Sequence, residues 1–383
     1  GYGMLALLGA ASALAQSYSQ LLVLRTVFGV FYGIGAPCWN AMAAEITPSA
    51  WRMVIAGTSQ VYFQLGELFS ILVTWWNDPT MQTVDWRWQL VMSAVPAAVC
   101  FVLALFLLDE SPAFLAVRGE HERARAVLER VRRWNGQPHV AVDFRPPQRQ
   151  PHHGTTKTFR SNLATLFSLP YLFTTLTVIY SFVVVNFIFY GNLYAIPQIL
   201  PGLSSGDESQ APTVSMALGV VTGEVPGVLL GATLGSLLPR RMACGLFMSI
   251  MGAASLTFGR NVGQPSPSDS QRALLLVSFW GLRFASNFGF VVLWQYSAEV
   301  YPTVMRNTGC AVAFGAGRLG AILAPAIFER ALAATGQHQL YFAICGALCL
   351  ANIPLLATVG ETRGKDLADT LGADVECEPL VVH

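Results

Sequence analysis

Apolar residues occur along this chain in long runs that polar residues interrupt only briefly. Ten runs approach or exceed the roughly 20 residues with which an α-helix spans a bilayer. They lie near residues 1–16, 20–44, 54–76, 88–108, 170–198, 212–236, 242–259, 271–299, 307–333 and 339–358. Apolar core helices of soluble proteins are shorter, so the pattern predicts an all-α, multi-pass integral membrane protein with ten spans.

Composition and charge agree with this prediction. Hydrophobic residues make up 53% of the chain and charged residues 12%, about half the charge of an average soluble domain. Sixteen of the 23 Lys and Arg residues lie on the side of both termini, and four lie in loops on the other side. Because Lys and Arg concentrate in cytoplasmic loops, both termini are predicted to be cytoplasmic. We expect lipid around the spans, a monomer, no enzyme activity, no cofactor, no metal and no nucleic-acid partner.

The two halves of the chain carry one repeated motif. The motif Ala-Glu-Ile-Thr-Pro at 44–48, followed by Arg52, recurs 254 residues later as Ala-Glu-Val-Tyr-Pro at 298–302, followed by Arg306. Repeats of this kind are typical of transporters built from two related bundles. Glu299 ends the fourth span of its half, whereas Glu45 ends the second span of its half. We therefore expect two further spans before residue 1 and twelve in the complete protein.

The predicted spans divide into a group of four, a loop and a group of six. We expect an amino-terminal bundle at 1–110 that lacks its first two helices, a cytoplasmic linker at 111–165, a six-helix carboxy-terminal bundle at 166–360 and a cytoplasmic tail at 361–383. In the linker, residues 112–134 combine an apolar stripe with charged positions and predict an amphipathic helix. We interpret it as a helix lying against the bundle, with a lipid-headgroup or regulatory site as the alternative.

Short motifs recur from one end of the chain to the other. They include Arg25-x-x-x-Gly29, Trp86-Arg87-Trp88, Glu110-Ser111-Pro112, Tyr190-Gly191, Glu224-x-Pro226-Gly227, Arg318-x-Gly320 and Glu361-Thr362-Arg363-Gly364. Together they resemble the major facilitator superfamily, and most closely its synaptic-vesicle-2-related proteins and their bacterial organic-acid relatives. The resemblance implies a two-bundle fold and secondary transport, by alternating access, of a small organic solute such as a monocarboxylate, with proton coupling. The alternatives are a sugar or organic-cation porter and a non-transporting binding or trafficking protein.

Charged residues inside the apolar runs are candidates for coupling chemistry, because charge within a membrane is costly unless it is paired or hydrated. Glu224 lies midway along its run and is the best candidate for a carboxylate that exchanges protons. Arg25 and Arg283 lie near the starts of their helices; the resemblance implies proton coupling or anion attraction for Arg25, with interface anchoring as the alternative. Glu67 and Arg318, on equivalent helices, could form one ion pair. Structural stabilisation is the alternative for Glu224 and for this pair.

A second set of charged residues is predicted at the cytoplasmic helix ends. Glu45 and Arg52 stand seven residues apart, as do Glu299 and Arg306, about two turns if helical. Such pairs would close a cytoplasmic gate, or would act as static helix caps. The remaining predicted gate residues are Glu110, Glu361, Arg240 and Arg241.

Hydrogen-bonding side chains on two later spans are candidates for a solute cavity. They are Asn186, Tyr190, Tyr194, Asn287 and Gln295. Tyr and Asn side chains would suit a planar organic solute that carries a carboxylate or an amine. Hydrogen bonds between helices and an interfacial aromatic belt are the alternatives.

Overall fold

A computed structural model gives the architecture of the chain. It describes residues 1–46, 52–79, 81, 83–110, 112, 115, 119–136, 139, 142, 159–203, 212–264, 268–301 and 303–362. Side chains at several positions inside these ranges, among them those of 34–46 and 52–53, lie outside the description. Every regular element in the described ranges is helical.

Thirteen α-helices and one π-helical segment follow one another along the described chain. The helices are α1 (Tyr2–Ser12), α2 (Tyr18–Ile46), α3 (Arg52–Asn77), α4 (Trp86–Leu107), α5 (His121–Trp134), α6 (Phe159–Leu166), α7 (Leu169–Leu203), α8 (Pro212–Gly219), α9 (Val225–Leu237), α10 (Arg240–Asn261), α11 (Asp269–Val300), α12 (Thr303–Thr335) and α13 (Gln339–Leu356). The π segment, Val220–Glu224, joins α8 to α9.

The helices coincide closely with the ten predicted apolar runs. Among the described residues, seven helical stretches are long and apolar enough to cross a membrane, and Trp86–Leu107 has the highest hydropathy of them. Two further runs correspond to α2 and α3, which have 29 and 26 residues. The first run contains the 11-residue α1. The all-helical, multi-pass membrane class is therefore confirmed, whereas the count of ten spans stays a prediction.

The chain forms two compact units. The amino-terminal unit comprises Gly1–Ile55 with Gly66–Thr155, and the carboxy-terminal unit comprises Ala56–Leu65 with Thr156–His383. The middle of α3 thus belongs to the second unit and its flanks to the first. The predicted boundaries at 110, 165 and 360 stay predictions, and residues after Thr362 in the predicted tail lie outside the described ranges.

In the amino-terminal unit, α1 packs against α2 and α4. The start of α4 is capped by Asp85, whose side chain accepts hydrogen bonds from the backbone N–H groups of Arg87 and Trp88. Arg87 donates in turn to the carbonyl oxygens of Ala13 (3.1 Å) and Ala15 (2.8 Å). It thereby binds the carbonyl group at the carboxy-terminal cap of α1 and a second one in the turn that follows.

In the carboxy-terminal unit, α7 packs along α12, and α10 packs between α11 and α13. Phe182, Phe247, Phe288 and Phe328 are among the largest side chains that are fully buried in this core. Many other apolar side chains point outward; Leu169, for example, is 80% exposed. A soluble monomer rarely exposes so much contiguous apolar surface, whereas lipid tails would cover it.

Candidate functional site

An ion pair lies buried inside the carboxy-terminal unit. Glu224 is fully buried and Arg283 is 4% exposed. Nη1 of Arg283 donates a hydrogen bond to Oε1 of Glu224. The expectation that Arg283 lies near the start of its helix is wrong, because α11 begins at Asp269 and ends at Val300. At a rise of about 1.5 Å per residue, Arg283 lies roughly 20 Å along that helix.

Two side-chain amides extend the ion pair into a network. Nε2 of Gln64 lies 3.5 Å from Oε2 of Glu224 and donates a 2.6 Å hydrogen bond to Oδ1 of Asn287. Nδ2 of Asn287 donates to the carbonyl oxygen of Arg283 at 3.1 Å. Gln64 is fully buried and belongs to the α3 stretch that clusters with the carboxy-terminal unit. The carboxylate of Glu224 thus has polar partners at both of its oxygens.

Glu224 owes its position to a π turn and to a row of glycines. The π segment ends at Glu224, and π turns inside α-helices are frequent at functional sites. Four glycines at intervals of four residues bring this span close to α11. They are Gly219, Gly223, Gly227 and Gly231. A Cβ on Gly227 would lie 2.4 Å from the carbonyl oxygen of Phe284, so only glycine permits this approach.

A small cavity adjoins the ion pair. Its volume of ≈ 10 Å³ is about that of one water position. The lining residues are Phe189, Asn192, Leu193, Glu224, Leu282, Arg283 and Ser286. Asn192 is 5% exposed, and its Oδ1 has no hydrogen-bond partner among the described residues. A water molecule there would have a buried amide oxygen and a charged pair as neighbours, which are the partners that buried waters require.

The five predicted cavity residues are distributed over several places. Asn287 joins the buried network. Asn186 is buried, and its Nδ2 donates to the carbonyl oxygen of Phe182 at 2.8 Å, within its own helix. The hydroxyl of Tyr194 hydrogen-bonds Oε1 of Glu329 at 2.7 Å. The structure therefore does not gather the five side chains around one cavity, and their predicted contact with a solute stays a prediction.

Tyr190 contacts one of the predicted intramembrane charges. Nη1 of Arg318 donates a 2.7 Å hydrogen bond to the Tyr190 hydroxyl, and its guanidinium lies 5.6 Å from the centre of the Tyr190 ring. Arg318 is exposed, and Glu67 is half-buried in the amino-terminal unit. The predicted ion pair between Glu67 and Arg318 stays a prediction.

Four of the predicted gate residues meet at one end of the carboxy-terminal unit. Arg240 binds Glu299 in a bidentate manner, with Nε and Nη2 each 2.9 Å from a carboxylate oxygen. Glu361 accepts hydrogen bonds from the backbone N–H groups of Arg240 (2.8 Å) and Arg241 (3.2 Å). A carboxylate in this position caps the start of α10 and interacts favourably with its dipole.

Two further side chains complete the binding of Glu299. Nε2 of Gln295 donates to Oε1 of Glu299 at 2.7 Å, and the Thr362 hydroxyl donates to Oε2 at 2.8 Å. Gln295, predicted to line a cavity, thus lies in this charged cluster. Arg240 and Glu299 are 9% and 13% exposed at their side chains, so the pair is screened little by solvent.

The turn after α11 buries a tyrosine. Tyr301 is 1% exposed and packs with Leu166 and Met305. Burial raises the pKa of Tyr301 to about 12. The tyrosine of the Tyr-Pro pair therefore anchors the turn between α11 and α12 by apolar packing.

The other predicted charges lie apart from these clusters. Arg25 is exposed, and its guanidinium lies 4.8 Å from the centre of the Phe28 ring. Glu110 is exposed and Arg306 is half-buried. The side chains of Glu45 and Arg52 lie outside the described residues. The predicted gate pairs Glu45 with Arg52 and Glu299 with Arg306 stay predictions.

The sequence contained signals for two features that were missed. Gln64 is a polar residue in the middle of an apolar run, and such residues usually face another polar group inside the bundle. The glycines from Gly219 to Gly231 follow the small-residue spacing by which membrane helices approach closely. No group of three or more His, Cys, Asp or Glu side chains that could hold a metal occurs in the described ranges.

Known proteins resemble this chain over almost its whole length. The family model described as "Sugar (and other) transporter" matches residues 4–370. The synaptic vesicle 2-related protein of Pongo abelii is 28% identical over 386 residues, covering 94% of this chain and 65% of the relative. The organic cation/carnitine transporter 7 of Arabidopsis thaliana is 25% identical and covers 96% of this chain and 78% of the relative. The chain thus spans less than two thirds of the length of the synaptic vesicle 2-related proteins that it matches.

Solved structures show the same fold. The major facilitator superfamily proton:xylose symporter XylE, bound to 6-bromo-6-deoxy-D-glucose, matches with a TM-score of 0.69 and 18% identity, covering 96% of this chain and 80% of that chain. A partially occluded inward-open conformation of the xylose transporter XylE from E. coli matches with a TM-score of 0.68 and 15% identity, covering 96% and 81%. At this identity the match concerns the fold alone.

Proposed function

This chain belongs to the sugar (and other) transporter family of the major facilitator superfamily, and we propose that it carries a small organic solute across a membrane by alternating access. The matches to the family model and to synaptic vesicle 2-related proteins confirm the resemblance predicted from the motifs. The fold is that of transporters rather than enzymes. We further propose that the solute is a monocarboxylate or a related metabolite and that its transport is coupled to protons.

One observation carries the proposal, namely the buried pair of Glu224 and Arg283 within the apolar spans. Removing two opposite charges from water is expensive, and their attraction repays this cost only when both are present and hydrogen-bonded. A structural role alone could be met by apolar packing, often at no loss of stability. A pair retained in this position is therefore a natural site for coupling a proton to a charged solute.

The coupling follows from charge balance. A proton that binds Glu224 neutralises the carboxylate and leaves Arg283 as a buried cation without its counter-ion. A solute carboxylate that binds Arg283 restores the balance, so one proton and one monoanion would cross together without net charge. Gln64 suits both states, because its amide donates to the carboxylate and offers an acceptor oxygen to the carboxylic acid.

The solute cannot occupy the present cavity, which has room for about one water. Ligand sites for small molecules are typically 300–1,000 Å³. Solute binding therefore requires rearrangement of the spans, as alternating access provides. We propose that the cluster of Arg240, Glu299 and Glu361 holds the predicted cytoplasmic end of α10 against that of α11 in one state of this cycle and loosens in another.

The test is uptake of labelled acetate, lactate and benzoate by the purified protein in proteoliposomes. We expect an inward proton gradient to accelerate uptake and a protonophore to abolish the acceleration. The Glu224→Gln variant should lose gradient-driven uptake while it continues to exchange internal for external solute, because the neutral amide mimics the protonated acid.

Asp269→Asn is the matched control, since it removes an exposed carboxylate of the same unit, at the first residue of α11 and away from the predicted cavity residues. We expect it to transport as the unchanged protein does. Normal gradient-driven uptake by Glu224→Gln would remove Glu224 from the coupling. Failure of the unchanged protein to exchange any of the three acids would remove the monocarboxylate.

An organic cation is the second candidate solute. The relatives named organic cation/carnitine transporters favour it, including the human organic cation/carnitine transporter 2, which is 29% identical over 75% of this chain. A cation would bind the carboxylate of Glu224 in place of Arg283. Uptake of tetraethylammonium that competes with protons, in the same vesicles, would favour this reading over the monocarboxylate.

A further inference from the structure

The helix between the two groups of spans is strongly basic. Along α5, five arginines stand against two glutamates, a net charge of +3 with histidine neutral. The arginines are Arg123, Arg125, Arg130, Arg132 and Arg133. We propose that α5 is a docking surface for the headgroups of anionic phospholipids. The proposal does not depend on transport or on the nature of the solute.

An ion pair holds α5 near the end of a membrane span. Nη1 of Arg130 contacts both carboxylate oxygens of Asp109, at 2.7 and 2.8 Å. Asp109 follows by two residues the last residue of the candidate span Trp86–Leu107. Because the apolar span ends where the hydrocarbon ends, a side chain bound to Asp109 lies at the level of the headgroups. The sequence-based prediction puts this end of the span on the cytoplasmic side, where anionic lipids are enriched.

The two faces of α5 are used differently. On the apolar face Ala124 is 1% exposed, and Val127, Leu128 and Val131 are half-buried. Other parts of the folded chain therefore already cover this face, at least in part. The side chains of Arg125 and Arg133 are exposed on the other side. What remains available for a partner is thus the basic face rather than the apolar one.

The end of α5 carries an aromatic residue suited to the same environment. Trp134 is the last residue of the helix and is 63% exposed. Tryptophan is enriched at membrane–water interfaces, where its ring lies among the headgroups. An exposed Trp beside an exposed Arg, on a helix bound to Asp109, fits a phospholipid surface better than it fits an acidic protein. Phosphate groups also match the fork geometry of arginine.

The experiment measures binding of short-chain phosphatidylserine to the purified full chain in neutral detergent. Phosphatidylcholine of the same chain length is the lipid control. We expect tighter binding of phosphatidylserine, and an affinity that falls as salt screens the charges. Arg125→Gln combined with Arg133→Gln should weaken binding about 25-fold, since each basic residue near such a surface contributes about a fivefold factor. Trp134→Ala should weaken the binding of both lipids.

The matched control combines Arg260→Gln with Arg272→Gln, two exposed arginines at helix ends of the carboxy-terminal unit, on the predicted opposite side of the membrane. We expect this variant to bind phosphatidylserine as the unchanged protein does. Equal affinity of the unchanged protein for the two lipids would overturn the proposal without recourse to any variant. Competition by inorganic phosphate at the same concentration would indicate a small-anion site instead, and tight binding of an acidic peptide without lipid preference would indicate a protein partner.

Discussion

The close approach of the Glu224 span to α11 can be tested with one methyl group. Gly227 faces the backbone of α11, and a Cβ built on it would lie 2.4 Å from the carbonyl oxygen and 3.1 Å from the carbonyl carbon of Phe284. Ordinary van der Waals contact begins near 3.4 Å. A backbone oxygen cannot rotate away as a side chain does, so Gly227→Ala must push the two helices apart.

The size of the effect follows from two opposing contributions. Overpacking in a well-packed core costs typically 1–3 kcal/mol, and an obstacle made of backbone belongs at the upper end, at about 3 kcal/mol. Alanine in a helix interior regains about 1 kcal/mol relative to glycine. We therefore expect Gly227→Ala to lower the free energy of unfolding by roughly 2 kcal/mol, and to disturb the ion pair three residues away.

Gly245→Ala provides the control for this comparison. Gly245 lies in α10, in the same unit, and a Cβ there would have no heavy atom within 4 Å. It should raise stability by about 0.5–1 kcal/mol. Thermal unfolding of both variants in one detergent measures the difference. If Gly227→Ala unfolds at the same temperature as Gly245→Ala or at a higher one, the close helix contact that positions Glu224 is refuted.

Three further predictions concern the charged clusters and the buried tyrosine. Arg283→Gln should destabilise the protein by about 3–5 kcal/mol, because it leaves the carboxylate of Glu224 without its counter-ion. The double variant E224Q/R283Q should recover most of this lost stability, as measured by thermal unfolding. Equal losses in the single and the double variant would contradict the pairing. Arg240→Gln should cost about 1.5–3 kcal/mol through the hydrogen bonds lost to Glu299, and an unchanged unfolding temperature would show that the cluster contributes nothing to this state. Burial raises the pKa of Tyr301 to about 12 from its usual 10, so the unfolded chain loses the proton first and stability should fall by about 2 kcal/mol as the pH rises from 10 to 12. Tyr301→Phe should remove that loss in unfolding measured at pH 9 and pH 11.5, and an identical slope in both proteins would exclude Tyr301 as its cause.

The fold could be predicted from the sequence because a bilayer imposes simple rules. A span must hide its backbone groups within a helix and must be apolar over about 20 residues. These two conditions predict the bounds of the helices to within a few residues. For example, α10 was expected near 242–259 and runs over Arg240–Asn261. The short motifs allowed the superfamily to be predicted as well, because a motif is recognised from residue identities and their spacing alone.

The partners within the site could not be predicted in the same way. Glu224 was singled out because its run placed it at depth, but its contact with Arg283 depends on the rotation of two helices about their axes. The glycine row and the π turn set that rotation. Arg240 likewise binds Glu299 across 59 residues of sequence, and no spacing rule connects residues so far apart. The depth of a charged residue in the membrane thus follows from the composition of its own run. Its ion-pair partner depends on how whole helices pack.

The π turn before Gly227 has a consequence for how this span tolerates change. An α-helix turns by about 100° and advances about 1.5 Å with every residue, so a π turn corresponds to one residue more than an uninterrupted α-helix would use. Loss of a single residue from Val220–Glu224 would therefore leave an ordinary α-turn and keep the faces of α8 and α9 in nearly the same relation. Loss of a residue from α8 or from α9 itself, outside the π turn, would instead turn the two ends of the span by about a quarter of a revolution relative to each other. The π turn is thus the place in this span where one residue can be lost without separating the face of α8 from the one that presents Glu224 to Arg283.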